Sequence, residues 1–363
     1  MNRILRLTIT VAALLTAGTT LRAQEDFRLV LGASFDTYFD NREYVDCQFG
    51  ESQTLFSSRL TPEVGIEWNA KNRLMFGMDL WSDFGNNTVV FAKARPQIYY
   101  RFKSDKVAAY AGIFPREKML GDYSEAILSD SMRFFDNRIQ GFMGQYEGRR
   151  GYVEMSVDWC GMFSEASREK FRILFSAGGV FAKYFDAGVS FSMQHYANRS
   201  TFMSNVVDNF LLNPYIGARF TAFFDFDIRL GYLLGMQRDR MLEEGWKLPM
   251  GGELGFRMSR WGVFISNDLY VGGNLMPFYD RTGKDGLAYA DDLYTGDPFY
   301  GTPHKVYNRT GIGYERSFAN DSVSVRAEMV LQCTGGHVYY QQLVGISARI
   351  CPTLYDKRNH KRN

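Results

Sequence analysis

Histidine and cysteine are scarce in this chain of 363 residues, at four each, and their placement removes most catalytic and metal-binding schemes. His195, His304, His337 and His360 fall in unrelated segments. There is no HExxH pair, no GxSxG elbow and no P-loop. Cys47, Cys160, Cys333 and Cys351 make neither a CxxC pair nor a metal-finger spacing. The residues alone therefore predict no enzyme, no cofactor and no metal. Export would permit a disulfide, Cys47 with Cys160 or with Cys333, and the spacing does not choose between them.

Long apolar runs are also missing once the first residues are passed. Those residues, "MNRILRLTITVAALLTAGTTLRAQ", carry Arg3 and Arg6, an apolar run from Leu7 to Leu15 and small residues ending at Ala23. That is the layout of a secretory signal, residues 1–23, cleaved after Ala23; the run is shorter than the roughly 20 residues that span a bilayer. An excess of either charge is absent too. Losing Arg3, Arg6 and Arg22 from 42 basic residues leaves 39 against 40 acidic ones, so no nucleic-acid partner is expected. The basic end, residues 356–363, reads as a short solvated tail on the periplasmic side.

What the chain has is alternation. In "FRLVLGASFDTYFD" the residues Phe27, Leu29, Leu31, Ala33, Phe35 and Phe39 fall on one side, with Arg28, Ser34, Asp36 and Asp40 on the other. Such a run is long for a soluble strand of about five or six residues but suits a tilted membrane strand of roughly nine to eleven. "YVEMSVDW", "FDFDIRLGYLL" and "VSVRAEMVLQ" repeat it. A soluble sandwich with this pattern would put Arg28, Asp36, Glu154, Asp158, Asp225, Asp227, Arg326 and Glu328 in a dry core, at several kcal/mol for each unpaired charge. The period therefore predicts an all-β chain, a transmembrane antiparallel β-barrel of about 16 strands (14–18) over residues 24–355. Short connections ("NAKN", "KSDK", "YEGRRG", "AKY", "TAF", "SR", "FAND") alternate with longer ones, as periplasmic turns alternate with outer loops. Tyr355 or an earlier residue closes the last strand.

Barrel size carries the functional expectation, because sixteen to eighteen strands leave an aqueous channel where eight do not. The third outer connection is then the stretch "YAGIFPREKMLGDYSEAILSDSMRFF". Pro115 ends its strand, and Phe114, Met119, Leu120, Tyr123, Ile127, Leu128 and Phe134 give it enough apolar surface to pack inside the lumen rather than float. On this segment, extended to "DNRIQGFMGQY", and on the exported strand pattern, the chain resembles Gram-negative outer-membrane porins, and more narrowly the porin-like proteins of Bacteroidetes and the phosphate-selective porins. The resemblance implies a passive channel in the outer membrane of a Gram-negative bacterium, surrounded by outer-membrane lipids, open to small hydrophilic solutes and assembled as a homotrimer. It makes Arg116, Glu117, Lys118, Asp122, Glu125, Asp130 and Arg133 candidates for the pore constriction. It does not extend to phosphate, since the dense lysine array of that family is missing.

The lumen wall is expected to present Lys93, Arg95 and Arg101, a basic ladder facing the acidic loop, and Asp225, Asp227 and Arg229 on another strand. Acidic and basic positions roughly balance, so no sign selectivity follows. The long connection from Gly272 to Lys305 holds Asp280, Asp285, Asp291, Asp292 and Asp297 without EF-hand spacing. It reads as a surface loop or ligand-capturing lid, with Tyr289, Tyr294, Phe299 and Tyr300 suited to stacking on sugars. The alternative to a diffusion channel is a plugged structural or adhesion barrel that binds a partner or glycan through its long outer loops.

Overall fold

The alternation is realised as a closed ring of sixteen antiparallel strands in the computed structural model, which describes residues 27–85, 89–197, 206–242, 244–282, 286, 288–351 and 353–356. The expected signal segment, residues 357–363 of the basic end, Asp285 and His360 lie outside the described residues. In chain order the strands are β1 (Phe27–Glu43), β2 (Gln53–Trp68), β3 (Asn72–Asp83), β4 (Lys93–Lys103), β5 (Val107–Pro115), β6 (Arg138–Glu147), β7 (Gly151–Gly161) and β8 (Lys170–Ala182). There follow β9 (Phe185–Tyr196), β10 (Val207–Thr221), β11 (Asp225–Asp239), β12 (Met250–Arg260), β13 (Val263–Gly272), β14 (Val306–Phe318), β15 (Val323–Thr334) and β16 (His337–Ile350). Each pairs with its chain neighbours. The ring closes where β1 pairs with β16 from Ala33 to Glu43 and with a short β17 (Thr353–Asp356) from Arg28 to Val30. β17 thus continues the line of β16 and completes the sixteenth stave, so Tyr355 does lie in the last strand.

Closure leaves no open sheet edge, which hydrocarbon demands because unpaired backbone groups cannot find water there. Strands of 9 to 17 residues are long enough to cross at a tilt. Their outward side chains are apolar and uncovered, among them Phe35, Phe76, Phe142, Met155, Ile216, Leu254, Ile312 and Val344. Aromatic rings collect at both ends of this belt. Phe220 stacks on Phe226 at 5.0 Å and Phe223 meets Trp261 at the short-turn end, while Trp159 stacks on Phe171 at 5.2 Å and Phe56 on Phe84 at 4.1 Å near the long loops. Two aromatic girdles around an apolar band are the lipid-facing signature of such barrels.

The inward face solves the problem of so many charges by pairing them across neighbouring strands. Glu67 on β2 accepts from Arg28, Arg73 and Arg101 at 3.4, 2.7 and 3.2 Å. Arg59 holds Asp79 at 3.1 Å. Seven of the connections at one end are short, as expected; at the other end they are longer, with one exception, the two-residue Gly335–Gly336 hairpin between β15 and β16, where both glycines take positive φ.

The four cysteines stand as free thiols, so neither of the pairings that export would permit for Cys47 is formed. Cys160 lies near the end of β7 and Cys333 in β15, on strands far apart around the ring.

Candidate functional site

The third long connection, residues 116–137, leaves β5 and turns into the barrel. Pro115 ends the ladder and a single 3-10 turn follows over Arg116–Lys118. Three residues before the proline, the wall itself is creased: Gly112 sits at φ +119°, where any Cβ would strike the Ile98 carbonyl of β4. The loop ends in a six-residue helix, α1 (Asp130–Phe135), whose Ser129 hydroxyl accepts from the Met132 amide at 3.1 Å. Phe134 then stacks on Tyr38 of β1 at 4.7 Å and lies against Trp81 of β3 at 5.1 Å.

Each candidate constriction residue can be placed. Arg116 is buried at the loop's root, bound to Asp158 of β7 at 2.8 Å and to Asp136 at 3.0 Å, so it anchors the loop to the wall. Glu117 pairs with Lys118 at 3.0 Å and reaches across the lumen to Arg349 of β16 at 2.7 Å. Asp122 binds Arg229 of β11 and lies 3.7 Å from Arg219 of β10. Asp130 meets Arg309 of β14 and Arg326 of β15 at 3.4 and 3.8 Å. Arg133 donates to the Tyr123 carbonyl at 2.9 Å. Glu125 accepts from the Asp130 amide at 3.0 Å. The loop is therefore tied to strands on several sides of the ring.

The electrostatics follow. Burial alone would raise the Glu117, Asp122, Asp130 and Asp136 carboxyls, but neighbouring cations, Lys118 and then Arg349 for Glu117 and arginines for the other three, outweigh it and hold all four below the ordinary range. Glu125 goes the other way. Burial, then the nearby Asp130, pushes it up to about 8 against the opposing pull of Arg133 and Arg309.

The wall residues lie where the alternation puts them, on the inner face. Arg101 is committed to Glu67 and Arg229 to Asp122; Asp227 holds Arg219 at 2.9 Å and Asp225 accepts from Thr221 at 2.7 Å. Lys93 sits 5.7 Å over the Trp81 ring, and Arg95 stands opposite Asp79 in the β3–β4 ladder.

The long connection between β13 and β14 departs from the expectation of a surface lid. It too enters the lumen and packs on the third loop. Tyr289, Tyr294, Phe299 and Tyr300 are buried, with Leu275, Met276, Phe278 and Leu293, against Tyr123, Ile127 and Leu128. These rings are core and are not presented for sugar stacking. Backbone bonds join the two loops: the Ser129 amide donates to the Thr295 carbonyl at 2.9 Å and the Asp297 amide to the Glu125 carbonyl at 2.8 Å. A side chain on Gly296 would collide with the Ala126 carbonyl. Asp297 is pushed up by burial. Among the described residues no three His, Cys, Asp or Glu side chains converge as a metal set.

Together the loops form a partition with a cavity on each side. One, of about 450 Å³, lies toward the long loops and is bounded by Tyr38, Arg42, Tyr44, Glu125, Asp291 and Phe299 among others. The other, of about 350 Å³, lies toward the short turns and is bounded by Asp36, Arg59, Arg116, Glu117, Phe134 and Arg349. Sequence reasoning missed the wall arginines that receive the loop, Arg219, Arg309 and Arg349. Their alternating inward positions marked them as lumenal, but nothing local names a partner about a hundred residues or more away.

A second arrangement lies outside the barrel, at the long-loop rim. His195 of β9 and Asp208 of β10 are register partners on the outer face, with Nδ1 3.4 Å from Oδ1. Arg240 grips the same carboxylate at 2.8 and 3.0 Å. The imidazole stacks on Phe171 at 4.9 Å, which continues the Trp159 pair. The sequence held His195 to be an isolated histidine; a residue 13 positions away becomes its partner only through the hairpin register.

Solved structures with this fold include two from Pseudomonas aeruginosa. OccK11 (OpdR) is 9% identical, with a TM-score of 0.53 over 91% of this chain and 98% of the other. OpdO is 7% identical, with a TM-score of 0.51 over 92% and 98%. At such identities the likeness establishes the fold alone. No curated protein matches the chain. A family model described as lipid A 3'-O-deacylase-type matches residues 21–231, more than half of the sequence, whereas no phosphate-selective porin family does. That match overturns the expectation of a chain with no enzymatic kinship, because the family is an enzyme class. It spans β1 to the first half of β11, including the third loop, His195 and Asp208. By this match the chain belongs to the lipid A 3'-O-deacylase-type family.

Proposed function

We propose that the chain is an outer-membrane channel for small hydrophilic solutes, with the paired loops as its narrowest point. The observation that carries this reading is the charge-lined lumen, with a solvent-sized cavity on either side of a partition fastened by Glu117, Asp122 and Asp130. Side-chain charges at close quarters select permeants by sign and size. The short turns face the periplasm, lipid surrounds the apolar belt, and three copies associate as a trimer. Single-channel recording in planar bilayers tests it: discrete conductance is expected, altered when Asp122, Glu125 and Asp130 are replaced by their amides. Silence of the native barrel under all conditions would end the channel reading.

The outer face favours a second activity, compatible with the first because it uses a different surface: hydrolysis of an ester-linked acyl chain on lipid A. His195 and Asp208 lie inside the family-matched span, at the level where lipid headgroups begin. In this reading His195 Nε2 takes a proton from water, the resulting hydroxide adds to the ester carbonyl, and the proton passes to the departing sugar oxygen. A fatty acid and a free sugar hydroxyl leave. Asp208 holds the imidazole and steadies its charged form, as a carboxylate does for a catalytic histidine. Mass spectrometry of lipid A incubated with the protein should show loss of one acyl chain, and His195→Ala should abolish it. An unchanged acyl pattern with the native protein removes this reading and leaves the channel untouched.

A further inference from the structure

Three carboxylates on the larger cavity lack a cation. Glu125 accepts only the Asp130 amide, Asp291 only the Tyr279 hydroxyl at 3.2 Å, and Asp297 the Phe299 amide at 3.0 Å and the Gln332 amide group at 3.5 Å. Among the described residues no ion pair includes any of them. The cavity's arginines are already committed, Arg42 to Asp40 at 2.7 Å and Arg309 to Asp130. Other inner-face carboxylates also stand without an ion pair, Glu63, Glu154 and Glu253 among them, but those are taken up by tyrosine hydroxyls and amides, whereas Glu125, Asp291 and Asp297 border one cavity. The same cavity is walled by rings from three separate segments: Tyr38, Tyr44 and Phe49 on β1 and the loop after it, Phe135 on α1, and Tyr279 on the long loop. Its volume, about 450 Å³, is that of a pocket for a small molecule.

We propose that this cavity is a binding site for a small organic cation that carries an aromatic or other planar group. Its ammonium or guanidinium would lie in the negative field of the wall that Glu125, Asp291 and Asp297 share, and its planar part beside the rings, where cation–π attraction adds to the ion pair. Carboxylates that no cation neutralises favour a positive guest and reject an anion of the same shape. The inference extends the channel reading, and binding is measured without current so that the two can fail separately.

The groups facing Glu125 are Asp130 and Arg133 on its own loop, Asp297 on the long loop and Arg309 on β14. Since the free carboxyl titrates near 8, it is protonated at pH 6, and a cation must displace that proton to bind. Affinity should therefore rise about tenfold or more from pH 6 to pH 8.5.

The experiment is calorimetry on the folded barrel in detergent, with tyramine and 4-hydroxyphenylacetate as probes that share a ring and differ in charge. Tyramine is expected to bind at least tenfold more tightly than the acid, with the stated pH rise. Glu125→Gln, which keeps the acceptor for the Asp130 amide, should weaken tyramine at least fivefold and flatten the pH profile. Asp291→Asn, at an exposed position, should weaken it in a barrel whose fold is not at risk. Equal affinity for the two probes, no binding of either, or native tyramine affinity in both variants would overturn the proposal.

Discussion

The two loops that meet in the lumen are held by the same forces in different proportion. The third loop is fastened by charge: Arg116 to Asp158, Glu117 to Arg349, Asp122 to Arg229, Asp130 to Arg309 and Arg326. The long loop is fastened chiefly by ring burial, with Tyr289, Phe299 and Tyr300 at 0 to 1% exposure, and only at its edges by charge, Arg281 to Asp239 at 2.6 Å and Asp292 to Lys170 at 2.7 Å. Ion pairs specify direction and register but yield little net stability when water reaches them, whereas buried rings contribute several kcal/mol each without fixing an orientation. A partition made from both therefore gains position from one loop and cohesion from the other.

That contrast can be broken most severely at the ring core. Phe299→Ala should cost about 3–5 kcal/mol of loop packing, seen as faster amide exchange across residues 275–300 with the strands still protected; unchanged exchange would mean that the rings do not carry the loop. Next is Arg116→Ala. It leaves Asp158 buried with Arg172 at 3.6 Å as its remaining cation and should cost about 3 kcal/mol, confined to residues 116–137. An equal response in the long loop would show that the two act as one body.

pH offers a gentler discrimination. Glu125 is raised, so the folded loop binds more protons than the unfolded one between the ordinary carboxylate value and about 8. Its contribution to stability then falls as pH rises through that window. The depressed carboxyls of Glu117, Asp122, Asp130 and Asp136 contribute above the ordinary carboxylate value and lose that contribution as pH falls through their lowered values. Amide exchange in residues 120–130, corrected for intrinsic rate, should thus be faster at pH 8.5 than at pH 5.5, with Glu125→Gln removing most of the difference. The smallest effect expected is that of salt. Raising KCl to about 1 M screens the half-exposed Glu117–Arg349 pair, by less than about 1 kcal/mol, and leaves the ring core unchanged.

The barrel was legible because membrane strands repeat one instruction. Phe27 to Asp40 alternates by residue type alone, and the same period in β7, β11 and β15 fixes which charges face inward. The inward path of the third loop was legible from its apolar content. The long loop carries the same signal, in Leu275, Met276, Phe278, Tyr289, Leu293, Phe299 and Tyr300, but its five acidic residues and its glycines drew the reading toward solvent. Only the density of rings spoke for the interior. Pairings such as Asp130 with Arg309 and His195 with Asp208 were not legible, since they depend on register and on closure of the ring. Kinship with an acyl hydrolase was hidden for a related reason: no short motif announces it.

The partition between two cavities also has an electrical meaning. In a conducting barrel the wide chambers are small resistances in series with one large one, so most of an applied voltage falls across the paired loops. A cation entering the larger cavity from the long-loop side would reach its carboxylates before crossing much of that drop. One arriving from the short-turn side would cross nearly all of it. The voltage dependence of block by the same cation, applied from each face in turn, is then a ruler for the depth of Glu125 along the path.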